Sequence, residues 1–240
     1  MARVALVTGG TRGIGAAISL ALKAQGRRVI AAYAGNDPAA EAFHAETCIR
    51  VMKFDVGDFA ACQKAVEQIT AEVGPIEILV NNAGITRDGT LARMSRDMWD
   101  AVMDTNLGAC FNLSKLTFDA MRAAKFGRIV NIGSMNGQCG QYGQVNYSAA
   151  KSGIHGFTKA LALEGARHRI TVNALAPGYV ETEMVQAVPA DVLKKISAKI
   201  PLGRMAHPEE IARGVAFLTA DEAEYITGST ISINGGMHMY

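Results

Sequence analysis

The sequence predicts an α/β fold, a single-domain, doubly wound parallel sheet of about seven strands with helices on both faces, and three observations carry that prediction. Short apolar runs alternate with amphipathic stretches along the whole chain. The runs are nearly continuous rather than alternating in polarity, as strands buried on both faces are. The first run, "RVALVTG", leads straight into a glycine-rich turn that opens a helical pattern. Strand–helix–strand alternation of this kind implies right-handed crossovers and helices on both sides of one sheet.

Each element has its own signal. After "RVALVTG", Ile14 to Ala24 has helical spacing, with Gly26 as its stop. "RRVIAAY" is the second strand, and Asp37-Pro38 then supply an N-cap and a first helical position. "CIRVMKFDV" is the third strand, and Asp58 starts a helix that ends near Gly74-Pro75. "IEILVNNAG" is the fourth strand, followed by a helical region from about Ser95 to Ala124. "GRIVNIGS", a helix from Tyr147 to about His168, and "RITVNALAPG" continue the alternation. Pro208 begins the last helix, which runs to about Thr219, and "STISING" is the seventh strand. Residues 184–200, flanked by Pro189 and Pro201, stand outside this alternation and are expected to form a small lid over the substrate, with a fixed packing element as the alternative. No Pro/Ser-rich linker divides the chain, so residues 1–240 are expected to be one domain.

The totals exclude several classes. The chain has 240 residues, 49% of them hydrophobic and 19% charged, which fits a packed protein rather than a disordered one. A net charge of +2 gives no reason to expect nucleic acid or an anionic membrane as partner. No apolar run is long enough to span a bilayer, and the glycines after "MARVALV" do not fit a signal peptide. Cys48, Cys62, Cys110 and Cys139 show neither C-x-x-C nor metal-ligand spacing, so reduced thiols in a cytoplasmic protein are expected and no metal.

The chemistry gathers at the strand ends. "VTGGTRGIG" has the pattern T-G-x-x-x-G-x-G on Thr8, Gly9, Gly13 and Gly15. Glycines permit a tight turn and close backbone approach to a pyrophosphate, and the helix N-terminus adds free N–H groups. Gly9, Thr11, Arg12, Gly13, Ile14 and Gly15 are therefore candidate dinucleotide contacts, although glycines also mark ordinary strand–helix turns. Asp55 and Val56 after the third strand suit an adenine, with an ordinary capping role for Asp55 as the alternative. Asn82, Ala83 and Gly84 after the fourth strand leave room for adenosine. The end of the second strand, Tyr33 to Asn36, has no acid before Asp37, and Arg12 can pair with a 2′-phosphate. That favours NADP; a merely solvated Arg12, or an inward-turned Asp37 selecting NAD, is the alternative.

Tyr147 and Lys151 are four residues apart in "VNYSAAKSG" and so share one helix face. An ammonium one turn from a phenol favours its ionised form and suits it to acid–base work. Such a pair alone is usually a surface pair. Here it is accompanied by Ser134 at the end of "NIGS" and Asn106 in "DTNLG".

With "NNAG" at 81–84 and "PGYVET" at 177–182, this ordered set resembles the short-chain dehydrogenase/reductase family along essentially the whole chain. The resemblance implies a Rossmann-type fold and hydride transfer from NADPH to a ketone. It implies that Tyr147 donates the proton, Ser134 hydrogen-bonds the same oxygen and Lys151 holds the nicotinamide ribose. Asn106 maintains a helix distortion and a water linking Lys151 to solvent, and Pro177, Gly178, Val180 and Thr182 seat the nicotinamide. "NNAGITRD", "NGQCGQYGQVNYS" and "NGGMHM" are similar to members that reduce acetoacetyl-CoA to (R)-3-hydroxybutyryl-CoA for polyhydroxybutyrate synthesis. That likeness makes an acyl-CoA thioester the expected substrate, bound by Asp88, Gln141, Tyr142, Gln144 and Tyr179 with Ser134 and Tyr147, in a homotetramer. The alternatives are a 3-oxoacyl-[acyl-carrier-protein] reductase, with Arg122, Lys125, Arg128 and Arg167 either a basic patch for the acidic carrier or, by preference, ordinary solvated charges, and a non-catalytic NADP-sensing protein.

Overall fold

A computed structural model describes residues 2–182 and 190–239. Seven strands form one parallel sheet: β1 Val4–Thr8, β2 Arg28–Tyr33, β3 Arg50–Lys53, β4 Ile76–Asn81, β5 Gly127–Ile132, β6 Ile170–Pro177 and β7 Thr230–Ile233. Their order is β3-β2-β1-β4-β5-β6-β7. The chain leaves β1 toward β2 on one side and later returns to β4 on the other. The strand order therefore reverses beside β1, and a crevice opens beyond the carboxyl ends of β1 and β4.

The central strands have the burial that their continuous apolar runs predict, whereas β3 and β7, at the two edges of the sheet, contain no fully buried residue. Every residue of β1, β5 and β6 is buried. The two-residue period of a strand sends Val4 and Leu6 into one core and Ala5 and Val7 into the other. The first core is closed by Ile69 of α3 (Phe59–Glu72), Leu113 and Met121 of α5 (Ala109–Ala124) and Ala162 of α7 (Val145–Ala166). The second is closed by Ile18 and Leu22 of α1 (Gly13–Ala24), Phe43 of α2 (Asp37–Thr47) and Ile211, Val215 and Leu218 of the helix Pro208–Leu218. Burying each such Leu or Ile contributes about 1.5–3 kcal/mol.

Helix starts follow side-chain chemistry. Asp58 caps α3, its carboxylate accepting from Ala60 N at 2.8 Å and Ala61 N at 3.1 Å. The Glu210 carboxylate accepts from His207 N at 2.8 Å at the start of the last helix. The cap of α2 lies one residue earlier than expected. Asn36 fills it at φ 63°, its side chain accepting from Ala39 N, and Asp37 becomes the first helical residue. Asparagine tolerates that left-handed conformation, and the vacated position leaves Asp37 able to pair elsewhere.

The long helical region after β4 is interrupted. Ser95 caps α4 (Arg96–Met103), one π turn covers Asp104–Gly108, and α5 follows. A short α6 (Asn136–Cys139) sits after β5. The expected lid at 184–200 falls partly outside the described residues; its described part contains the helix α8 (Ala190–Ser197), which makes Pro208–Leu218 α9.

Candidate active site

The crevice is a cavity of about 920 Å³ that runs from the glycine turn after β1 to the start of α7. At the first end the walls are main chain. Gly9 has φ 59°, a left-handed conformation open to glycine. A Cβ on Gly15 would stand 1.9 Å from the Gly9 carbonyl oxygen, so this approach of two backbones is closed to any side chain. Arg12 precedes α1 without capping it through its side chain, which leaves the helix's first N–H groups facing the cavity end. A dinucleotide's phosphates fit this cradle of bare backbone donors.

The turn is tied to its neighbour strand. Thr8 Oγ1 accepts from Asn82 N and Ala83 N, both at 2.9 Å. Asn82 Nδ2 donates to Thr8 O at 2.8 Å and Gly9 O at 3.2 Å. Asn82 therefore braces the glycine turn from β4. Asp55 Oδ1 accepts from Gly57 N at 2.9 Å, so the acid shapes its own turn while also lining the cavity.

At the other end the walls are side chains. Tyr147 and Lys151 both project from α7 into the cavity, with Lys151 Nζ 5.7 Å from the Tyr147 ring centroid. Lys151 is 3% exposed and donates to Ile132 O at 2.7 Å, which fixes its ammonium at the end of β5. Its charge reaches the buried Cys110 thiol, which burial pushes up to about 11 against the opposing pull of Lys151. Ser134, just past β5, lines the same cavity, and its Oγ accepts from Asn136 N at 3.1 Å.

Every residue expected to contact the dinucleotide lines this cavity. Of the residues expected in catalysis, Ser134, Tyr147 and Lys151 line it and Asn106 does not. Asn106 is 1% exposed inside the π turn, and its amide clasps one residue of the segment after β4: Oδ1 accepts from Ile85 N at 2.8 Å and Nδ2 donates to Ile85 O at 3.0 Å. Of the expected substrate contacts, Gln144 and Tyr179 join Ser134 and Tyr147 on the wall. Asp88 is exposed behind Gln144 and accepts from its Nε2 at 3.1 and 3.0 Å. Gln141 and Tyr142 are exposed on the loop outside the cavity, Tyr142 at 88%.

Asn136 was not anticipated. It lines the cavity and donates to Gln144 Oε1 at 3.0 Å, joining α6 to the start of α7. The only sequence signal is its place two residues after Ser134. The suggested basic patch is corrected. Arg128 is 2% exposed, lies 4.3 Å over the Phe126 ring and donates to Gly127 O at 2.9 Å. It stands with Arg122, Lys125 and Arg167 around the entry to β5, at the opposite end of the sheet from Ser134. Arginine's long apolar stem and five donors let it serve as a buried clamp on carbonyls there.

A glycine cradle at the strand-order reversal and a Tyr–Lys pair beside a serine define a class: a nicotinamide-dependent oxidoreductase. The chain belongs to the short-chain dehydrogenase/reductase family and acts on CH–OH groups. The profile of the family described as "Enoyl-(Acyl carrier protein) reductase" matches residues 9–238. The chain is 60% identical to the acetoacetyl-CoA reductase of Shinella zoogloeoides, over 98% of each chain. It is 57% identical to the acetoacetyl-CoA reductase of Rhizobium meliloti (strain 1021), over 99% of each. It is 47% identical to the 3-oxoacyl-[acyl-carrier-protein] reductase FabG of Escherichia coli (strain K12), over 99% of this chain and 98% of that one.

Proposed function

We propose that this protein reduces acetoacetyl-CoA to (R)-3-hydroxybutyryl-CoA with NADPH. The observation that carries the reading is that Tyr147, Lys151 and Ser134 share one cavity with the glycine cradle. Its narrower form is supported by the names of the two most similar relatives given above.

The nicotinamide supplies, when bound, the hydride that reduces the carbonyl carbon. Tyr147 gives its phenolic proton to the carbonyl oxygen, so the ketone gains one hydride and one proton and becomes the alcohol. Ser134 accepts from Asn136 N, which leaves its own O–H to hold the same oxygen in place. Lys151 spends one of its three donors on Ile132 O and keeps two for the ribose hydroxyls and the Tyr147 side. Asn106 holds the π turn against Ile85, and the neighbouring Gly84 borders both Asn106 and Lys151. A water linked to Lys151 there would return the proton to Tyr147.

NADP is favoured over NAD because the cavity wall after β2 is Tyr33, Ala34, Gly35 and Asn36, none of them acidic, while Arg12 lines the same cavity. The chain is further proposed to be a cytoplasmic homotetramer. The exposed Phe111 on α5 and Leu163 on α7 support pairing of those helices between copies. Light scattering checks the assembly, and a monomeric mass would overturn it.

The test of function is NADPH oxidation with acetoacetyl-CoA. Turnover by the wild type and its loss in Tyr147→Phe support the reading. A protein that binds NADPH but turns over no 3-oxoacyl thioester refutes it. The similarity to the E. coli carrier-protein enzyme favours one second reading, and turnover on CoA against carrier-protein thioesters separates the two.

A further inference from the structure

We propose that Lys53 is a specificity-determining residue for the dinucleotide: by holding Asp37 in an ion pair, it withholds a carboxylate that would otherwise accept from an unphosphorylated ribose and repel a 2′-phosphate. This rests on the NADP reading above.

Asp37 is the first residue of α2 and follows Asn36, which lines the cavity. That is where an acid selects a free 2′-hydroxyl in sites of this architecture. Lys53 is the last residue of β3, set level with Tyr33 by the parallel register of β2 and β3. Its Nζ lies 2.8 Å from Asp37 Oδ2, and both side chains are about half exposed, at 52% and 50%. On either side of the pair the chain touches the cavity, through Tyr33 to Asn36 and through Phe54 and Asp55.

The early cap on α2 is part of the device. Because Asn36 takes the N-cap in a left-handed conformation, Asp37 has no capping duty and is available to Lys53. The hydrogen bond from Lys53 is the main cause that holds the Asp37 carboxyl below the usual carboxylate range, so the acid is ionised and engaged at neutral pH. The pair is then neutral as a unit. Arg12, across the cavity, contributes a net positive charge to a 2′-phosphate that no bare carboxylate opposes. Asp37 and Lys53 both stand just outside the cavity wall, and Tyr33, which lines it, is also hydrogen-bonded to Asp37; Lys53 is therefore placed to act on the nucleotide through Asp37.

The experiment measures dissociation constants for 2′,5′-ADP and 5′-AMP by titration calorimetry, using the full-length wild type, Lys53→Met, Asp37→Asn and the double variant. The wild type is expected to favour 2′,5′-ADP. Lys53→Met should cut that preference about tenfold, through weaker 2′,5′-ADP and tighter 5′-AMP binding, because it unmasks a like charge beside the phosphate. The double variant should regain the wild-type ratio to within about twofold, the signature of coupled residues. A Lys53→Met variant that keeps the wild-type ratio overturns the inference. So does a double variant that stays low, which would make Lys53 a direct phosphate ligand. A wild type that shows no preference removes the NADP reading and this inference with it, whereas a preference insensitive to Lys53 removes only the inference. Melting temperatures of the four proteins confirm that each is folded.

Discussion

At the β1–β4 end of the crevice the walls are backbone, and at the β5–α7 end they are side chains. The first end is held by Thr8 and Asn82, whose hydrogen bonds run between two buried strands. The second is held by a chain of amides and one carboxylate, Asn136–Gln144–Asp88, that reaches the surface. A cradle of main chain has little freedom to vary, because a side chain added at Gly10 or Gly15 meets a carbonyl and one at Gly9 crowds Asn82 and Ala83. A wall of side chains on a loop can change residue by residue. The difference teaches where the fixed and adjustable parts of the reaction sit: dinucleotide at the rigid end, substrate at the other.

The comparison can be broken most sharply at Gly15. Gly15→Ala would place a methyl 1.9 Å from Gly9 O, a contact that neither backbone can relieve. It should abolish measurable dinucleotide binding and cost at least about 1–3 kcal/mol of stability. Near-normal NADPH affinity in this variant would show that the glycine end is not rigid. Tyr147→Phe should leave binding intact and lower kcat by about 10²–10⁴-fold, the usual contribution of a positioned acid. Calorimetry alongside turnover checks that split; a raised NADPH dissociation constant with unchanged kcat would reverse the assignment of the two ends.

Asn82→Ala sharpens the comparison within the rigid end. It removes donors to Thr8 O and Gly9 O, and the expected cost is about 1–3 kcal/mol by chemical denaturation, with a higher KM for the dinucleotide. At the other end, Gln144→Ala should raise KM for the thioester and leave that for the dinucleotide unchanged. Equal effects on both constants would mean that the two ends are not separable.

This same division governs what could be read from the sequence. Strands and the glycine turn were legible because burial on both faces enforces apolar residues and close backbone approach enforces glycine. Lys151 and Tyr147 were legible as a pair because helical spacing alone puts them on one face. The π turn at Asp104–Gly108 has no signature in the hydrophobic periodicity; the helix distortion at Asn106 was implied only by the family resemblance. Arg128 was misread because a charge suggests surface, and only the fold reveals the carbonyls of Gly127 and Arg169 that gather around it. Asn136 and the outlying Gln141 and Tyr142 depend on loop geometry that no repeat encodes.

The smallest effect expected uses the thiols as reporters of both ends. Cys48 and Cys139 are exposed, Cys62 and Cys110 buried. Burial pushes the Cys62 thiol up to about 12 and Cys110 up to about 11. A pKa three units above the medium leaves about one thiol in a thousand as the reactive thiolate, before access is counted. At pH 8 a disulfide reagent should therefore modify two cysteines quickly and two slowly. Cys139 closes α6, three residues after the cavity-lining Asn136, and Cys48 lies beyond α2, before β3. Thioester substrate should slow the labelling of Cys139 by a few-fold and leave Cys48 unchanged, since only the first stands near the wall of adjustable side chains. Mass spectrometry of the labelled peptides reads each site separately. Equal protection of both would point to a change of the whole molecule, and protection of neither would place the acyl-CoA away from the loop between Ser134 and Gln144.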